Sequence, residues 1–191
     1  MSVSGEAGAV SYGVDAGSGV DRFRGVVLGG GLELQTSARV RVSLNAAAGT
    51  LDARTAGEPD RRLAEIAAAT RVVVRPWLQA WGELQIRTLA TDLARQQWIL
   101  VTLGAEARPP FSIAGLSGVF GLGLIPIGAV TSLPPASFGV SGIAGFELQR
   151  RALTLSITYE LERFDFPPHR GVRRHEQNAR LTVRGTLRVR D

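Results

Sequence analysis

Leu153-Thr154-Leu155-Ser156-Ile157-Thr158-Tyr159-Glu160-Leu161-Glu162 alternates apolar and polar residues without a break. A second run repeats the pattern, with Leu181, Val183, Gly185, Leu187 and Val189 set against Arg180, Thr182, Arg184, Thr186 and Arg188. Successive side chains of a strand point to opposite faces, so each run carries one apolar and one polar face. Ala152 to Phe166 and Asn178 to Val189 therefore make a predicted terminal hairpin. Alternation alone does not say which face meets water, and the class of the fold turns on that point.

The same period extends through the chain. Gly8 to Ser18 alternates weakly, with Val10, Tyr12, Val14 and Ala16 opposite Ser11, Gly13 and Asp15. In Arg24 to Gln35, Val26, Leu28, Leu32 and Leu34 oppose Gly29, Gly31, Glu33 and Gln35; in Ala38 to Ala46, Val40, Val42 and Leu44 oppose Arg39, Arg41, Ser43 and Asn45. Ala47 to Arg61 is polar and rich in turn residues, which predicts a loop. Pro59-Asp60 followed by an Ala-rich run has the chemistry of a helix start, but Thr70 to Val74 is β-branched, and a strand from near Leu63 to Val74 is the expectation. Further strands are predicted over Trp77 to Thr88, Trp98 to Glu106, Val119 to Gly128 and Ser137 to Gln149. Pro126 inside the seventh strand lacks an N–H and belongs at an edge or a bulge.

Ten strands result. Their connections are predicted to alternate: short at Thr36-Ser37, Arg75-Pro76, Arg108 to Phe111 and Gln149 to Arg151, longer at Ala47 to Arg61, Thr91 to Gln97, Thr131 to Ala136 and Asp165 to Gln177. An even antiparallel meander of this kind resembles the bacterial outer-membrane β-barrels. The stretch Tyr159 to Phe166 is also similar to penultimate-strand endings in that family. The resemblance spans almost the whole chain and implies an all-β, up-and-down transmembrane barrel. It is a single domain over residues 1–191, with ten strands and eight or twelve as the neighbouring even counts. It further implies periplasmic termini and short turns, a Gram-negative outer-membrane location and contact with outer-membrane lipid. The sequence departs from the family in two places. Met1 to Gly5 shows no basic and apolar leader, so the chain is either mature or trimmed, or it stays in the cytoplasm. It also ends Arg188-Val189-Arg190-Asp191 instead of in an aromatic residue.

The polar face supplies a physical reason for a membrane barrel. Glu33, Glu65, Glu83, Glu106, Glu147, Glu160 and Glu162 lie on it with Arg39, Arg41, Arg71, Arg87, Arg180, Arg184 and Arg188. Acids and bases fall on neighbouring strands, Glu33 beside Arg39 and Arg41, and Glu160 and Glu162 beside Arg180 and Arg184. Charges sequestered in a lumen need such partners. The expectation is a plugged, charge-paired bore with the Leu/Ile/Val face toward lipid, and a structural or narrow pore role. Trp77, Trp81, Trp98, Phe111, Phe138, Phe146, Tyr159, Phe164 and Phe166 fall mostly near strand ends, as an interfacial girdle requires. The competing arrangement is a soluble lipid-binding barrel with its apolar face inward.

Composition excludes other classes. Of 191 residues, 45% are hydrophobic and 20% charged, which speaks against global disorder. Cys is absent, so thiolate and disulfide chemistry are excluded. The net charge of +5 rests entirely on Arg, since the 22 basic residues include no Lys. These Arg residues are spread along strands, so nucleic acid is not an expected partner.

The one concentrated basic patch is His169, Arg170, Arg173 and Arg174 with His175, whose side chains are candidates for lipopolysaccharide phosphates. The two histidines have no metal-ligand spacing, and no metal or other cofactor is expected. His169 or His175 with Asp165 is the only constellation that a hydrolase could use, and no catalytic activity is expected from it.

Overall fold

The computed structural model describes residues 1–17, 19–131, 133–168 and 172–189. Ten strands follow one another: β1 (Ser2–Asp15), β2 (Val20–Gln35), β3 (Val40–Ala53), β4 (Arg61–Arg75), β5 (Leu78–Ala90), β6 (Arg95–Ala107), β7 (Leu116–Val130), β8 (Phe138–Arg150), β9 (Leu153–Asp165) and β10 (His175–Arg188). Each pairs antiparallel with its neighbours in sequence. β1 pairs with β10 from Ser2↔Arg188 to Asp15↔His175 and closes the sheet into a barrel. Closure satisfies every strand edge, the condition for a sheet surrounded by hydrocarbon. Among the described residues there is no helix.

The alternation resolves into a clear facing. Leu28 is 66% exposed, Leu122 77%, Ile157 54% and Val183 52%, whereas Phe23, Leu100 and Phe164 on the opposite parity are at 0–1%. The apolar face of the terminal hairpin is thus outward, with Arg180, Arg184, Glu160 and Glu162 inward. This rules out the soluble barrel with an apolar cavity, which requires the reverse. On β10 the outward face is uncharged from Ala179 to Leu187. At ~3.3 Å per residue and ~40° of tilt, that run covers roughly 20 Å, near the ~25 Å apolar band of outer-membrane barrels.

Several boundaries differ from expectation. β3 continues to Ala53, through residues expected to be loop. Ala47, Gly49 and Leu51 point inward and Ala48, Thr50 and Asp52 outward, a sequence with too little hydrophobic contrast to announce a strand. The connections do not separate into a short and a long set. Residues 108–115, at the end that also holds the termini, make one of the longer ones, and 16–19 and 91–94 at the other end are short. Ser112 to Val130 is apolar on both faces in the sequence, so periodicity does not mark where β7 begins.

Pro126 sits where the β6–β7 register slips, between Val101↔Ile127 and Leu103↔Leu124. The extra residue is a bulge, placed where the missing N–H costs no ladder bond. It also reverses parity, so that Gly123 and Ile125 before it and Gly128 and Val130 after it all face the lumen.

The aromatic girdle is only partly present. Trp77, Phe111, Phe138 and Phe146 are exposed near strand ends, and Tyr159 is exposed in mid-strand. Trp98, Phe164 and Phe166 are inside the barrel instead, and Trp81 faces inward against Gly104.

Candidate functional site

The lumen is divided along its axis. In the half nearer the termini, inward positions are polar: Ser2, Ser4 and Glu6 on β1, Glu33 on β2, Arg41 and Ser43 on β3, Thr154, Ser156 and Thr158 on β9. They enclose a cavity of about 310 Å³. In the half nearer the 54–60 and 166–174 connections the same parities carry apolar side chains. Val10, Tyr12, Val14, Phe23, Val27, Leu51, Leu63 and Leu89 form one cluster against one side of the wall. Trp98, Leu100, Ile125, Val130, Phe164 and Phe166 form another. Val10, Tyr12 and Val14 therefore do not belong to the lipid face, as the weak alternation of β1 suggested. They share parity with Ser2, Ser4 and Glu6 and fill the bore.

Where the polar half meets the apolar clusters, one inward step from Leu63, Glu65 is held by two arginines. Arg87 Nε donates to Glu65 Oε1 at 2.6 Å, and Arg180, from the far side of the bore, donates to Glu65 Oε2. Arg87 Nη2 also reaches Glu162 Oε2 at 2.5 Å, and Asn178 donates to the same oxygen at 2.9 Å. Glu65 and Arg87 are both 4% exposed at the side chain, so each charge depends on its partner for solvation. Arg87 stands directly opposite Glu65 in the β4–β5 register, whereas the Arg87–Glu162 and Arg180–Glu65 contacts cross the lumen: Glu160 is opposite Arg180 in the β9–β10 register, yet the guanidinium passes it to reach β4.

Around this hub lie smaller pairs. Arg184 Nε donates to Glu6 at 2.7 Å. Arg41 Nη2 donates to Gln79 at 2.7 Å, and its Nη1 lies 3.6 Å from Glu33. Arg108 joins Glu106 at 2.5 Å to Glu147 at 2.6 Å. Arg71 donates to the Ser43 hydroxyl at 3.3 Å. Glu83 and Glu160 line the cavity without an ion pair among the described residues.

Two of the residues expected in the network lie apart from it. Arg39 is in the turn before β3, exposed, its backbone N–H donating to Ser37 Oγ at 3.3 Å. The turn ends before the alternation starts, so parity does not apply to it. Arg188 is exposed at the mouth of the cavity. Glu6, Arg108, Gln79 and Asn178 were not singled out. Glu6 precedes the expected start of β1, Arg108 falls in the expected turn Arg108 to Phe111, and the amides carry no charge.

The apolar half has its own polar tie. Tyr12 donates its hydroxyl to Glu176, and Arg174 Nε donates to the other oxygen of that carboxylate at 2.6 Å. Arg61 lies 3.9 Å from the centre of the Phe23 ring, within cation–π range. Trp98 packs on Phe164 at 5.0 Å and edge-on to Phe166 at 5.8 Å. Arg174 is thus turned into the barrel and does not join an outward basic patch. Arg173 is exposed, and His169 and Arg170 lie outside the described residues. His175 Nδ1 is 2.6 Å from Asp165, which Arg163 also approaches at 3.4 Å. The pair is half-exposed at the rim, and no hydroxyl bonds to that imidazole among the described residues.

An apolar band outside, paired charges inside and a closed antiparallel meander define the fold of the bacterial outer-membrane β-barrels. Three solved structures share it across nearly the whole chain. The outer membrane protease OmpT of Escherichia coli superposes with a TM-score of 0.61 at 5% identity, over 97% of this chain and 96% of that one. The translocator domain of the autotransporter NalP of Neisseria meningitidis gives 0.52 at 14%, over 98% and 88%. An outer membrane channel of Pseudomonas putida F1 gives 0.50 at 10%, over 97% and 94%. At such identities the likeness is one of fold. No family model matches the sequence, and no curated protein matches it.

Proposed function

We propose that the protein is a non-catalytic β-barrel of a Gram-negative outer membrane whose lumen is sealed to solutes and whose role is structural. The carrying observation is the filled bore. Two clusters of side chains exposed by 7% or less occupy the half of the barrel away from the termini. The polar cavity beyond them is lined toward the termini by Arg188 and Arg151. With the termini on the periplasmic side, the polar cavity faces the periplasm and the apolar clusters close the outer end.

The named relatives of the fold are a protease, a translocator and a channel, so the fold does not choose among activities. The contents of the lumen favour the sealed form. Its arginines are committed to Glu65, Glu162, Glu6, Glu33, Glu106 and Glu147, mostly along the wall and, in Arg87–Glu162 and Arg180–Glu65, across the bore, which leaves few charges free to pass an ion along. The test is conductance of purified protein in a planar bilayer. A sealed barrel gives no resolved current steps in molar salt; large, long-lived open-channel currents would overturn the proposal.

A further inference from the structure

On the outside of β2 the residue type changes abruptly. Leu34, Leu32, Leu28 and Val26 are 46–66% exposed and continue the apolar band. The next outward positions are Arg24 and Arg22, both exposed. The following loop adds a third arginine beside them. Arg54 N–H donates to the Arg22 carbonyl at 2.7 Å, and Arg22 N–H donates to Thr55 Oγ1 at 3.2 Å, which fixes the loop against the strand. Val20, Arg22, Arg24, Arg54 and Thr55 line one groove on the outer surface.

Other outward positions at this end carry Arg62 and Arg163, which are paired with Asp92 at 3.1 Å and Asp165 at 3.4 Å, and Arg95, which stands alone among the described residues at the start of β6. Arg22, Arg24 and Arg54 make no ion pair among the described residues, although Asp52 stands opposite Arg24 in the ladder. Three guanidinium groups gathered in one groove repel one another unless an anion sits between them. Their height, one residue step beyond the apolar band, is the plane of lipid headgroups. Guanidinium binds phosphate through paired N–H donors more effectively than any other side chain.

We infer that this groove is a binding site for the phosphate groups of lipopolysaccharide in the leaflet at the 54–60 end of the barrel. The site rests on the outer-membrane reading above and is separate from the lumen and from the loop around Arg173. Its ligand is the phosphorylated glucosamine headgroup, held by Arg22, Arg24 and Arg54, with the acyl chains lying down the Val26 and Leu28 face.

The experiment uses the folded chain in phospholipid nanodiscs containing a graded fraction of lipopolysaccharide, the same lipid with its phosphates removed, or neither, and follows the thermal unfolding midpoint. The wild type is expected to gain stability from the phosphorylated lipid and little from the dephosphorylated one. In the variant Arg22→Gln/Arg24→Gln/Arg54→Gln the lipid concentration giving half the shift should rise by roughly tenfold or more, as expected for lost charged hydrogen bonds. The variant Arg39→Gln/Arg75→Gln/Arg150→Gln, at the opposite end, should respond like wild type. Equal shifts in wild type and groove variant, or equal shifts with and without phosphates, would overturn the site. Soluble pyrophosphate reproducing the whole shift would overturn the lipid assignment. Should the triple variant not fold, the three single variants replace it under the same criteria. A wild-type chain that is monodisperse without detergent would instead sink the underlying membrane reading, an outcome visible before any lipid is added.

Discussion

Glu65 is the residue on which the charge network depends most. Arg87 and Arg180 both donate to it, and the first of these pairs is almost wholly screened from water. Glu65→Gln keeps the shape and removes the charge, leaving Arg180 without its anion and Arg87 with Glu162 alone. Breaking a buried pair from one side costs about 3–5 kcal/mol, and the urea midpoint of the folded barrel should fall accordingly. The pair Arg41–Glu33 is the internal control. Its side chains are 25% and 30% exposed and stand 3.6 Å apart, so Glu33→Gln should cost less than about 1 kcal/mol. A second residue-level feature is Arg151, whose φ of 51° lies in the left-handed region. It sits in the tight β8–β9 turn, where Arg150 pairs with Leu153. Glycine meets no Cβ penalty there, so Arg151→Gly is expected to raise the midpoint by the equivalent of about 0.5–1 kcal/mol.

Among the elements, the β2–β3 pair has two glycines where no side chain fits. A Cβ on Gly25 would stand 1.8 Å from the Thr50 carbonyl oxygen, and one on Gly49 2.1 Å from that of Val26. Backbone atoms cannot yield as a flexible side chain does, so Gly25→Ala should destabilise by about 3 kcal/mol or more, or abolish the heat-modifiable folded band on gels. Gly5→Ala, whose Cβ would meet nothing within 4 Å, should be neutral by the same assay. These glycines also explain what the sequence concealed. In Ala46-Ala47-Ala48-Gly49 the side chains are too small for a period of two to show, so the second half of β3 looked like loop.

Facing was harder still. Val10, Tyr12 and Val14 look like a lipid face in isolation, because the lumen changes from polar to apolar along its axis. Parity carries the information that hydropathy does not. Tyr12 follows Ser2, Ser4 and Glu6 at even spacing, Phe164 follows Glu160 and Glu162, and Trp98 and Leu100 precede Thr102 and Glu106. Tracing each strand from its charged end assigns all of them inward. The terminal hairpin was legible because its two faces differ along their whole length. What remained hidden were the partners, since Arg180 reaches Glu65 on β4 across the bore and no local spacing encodes that.

At the scale of the whole molecule, the barrel is sealed by packing at one end and braced by charge at the other. Removing the packing should open it. Trp98→Ala combined with Phe164→Ala deletes two rings that pack at 5.0 Å, tilted by 54°, in the plug, while leaving the Glu65 hub in place. In a bilayer this variant is expected to show current steps that the wild type lacks; an equally silent variant would mean that the charged half also blocks the bore.

All of this presupposes that the apolar face meets lipid and the arginine face the lumen, and that is open to direct measurement. The chain contains no cysteine, so single replacements can be labelled without removing any. Leu181→Cys, Val183→Cys and Leu187→Cys should carry an environment-sensitive fluorophore that emits to the blue and is quenched by brominated lipid. Thr182→Cys and Thr186→Cys on the intervening positions should be protected from that quencher. Such a two-residue period along β10 is the expected result; quenching at the even positions, or none at all, would contradict the transmembrane barrel.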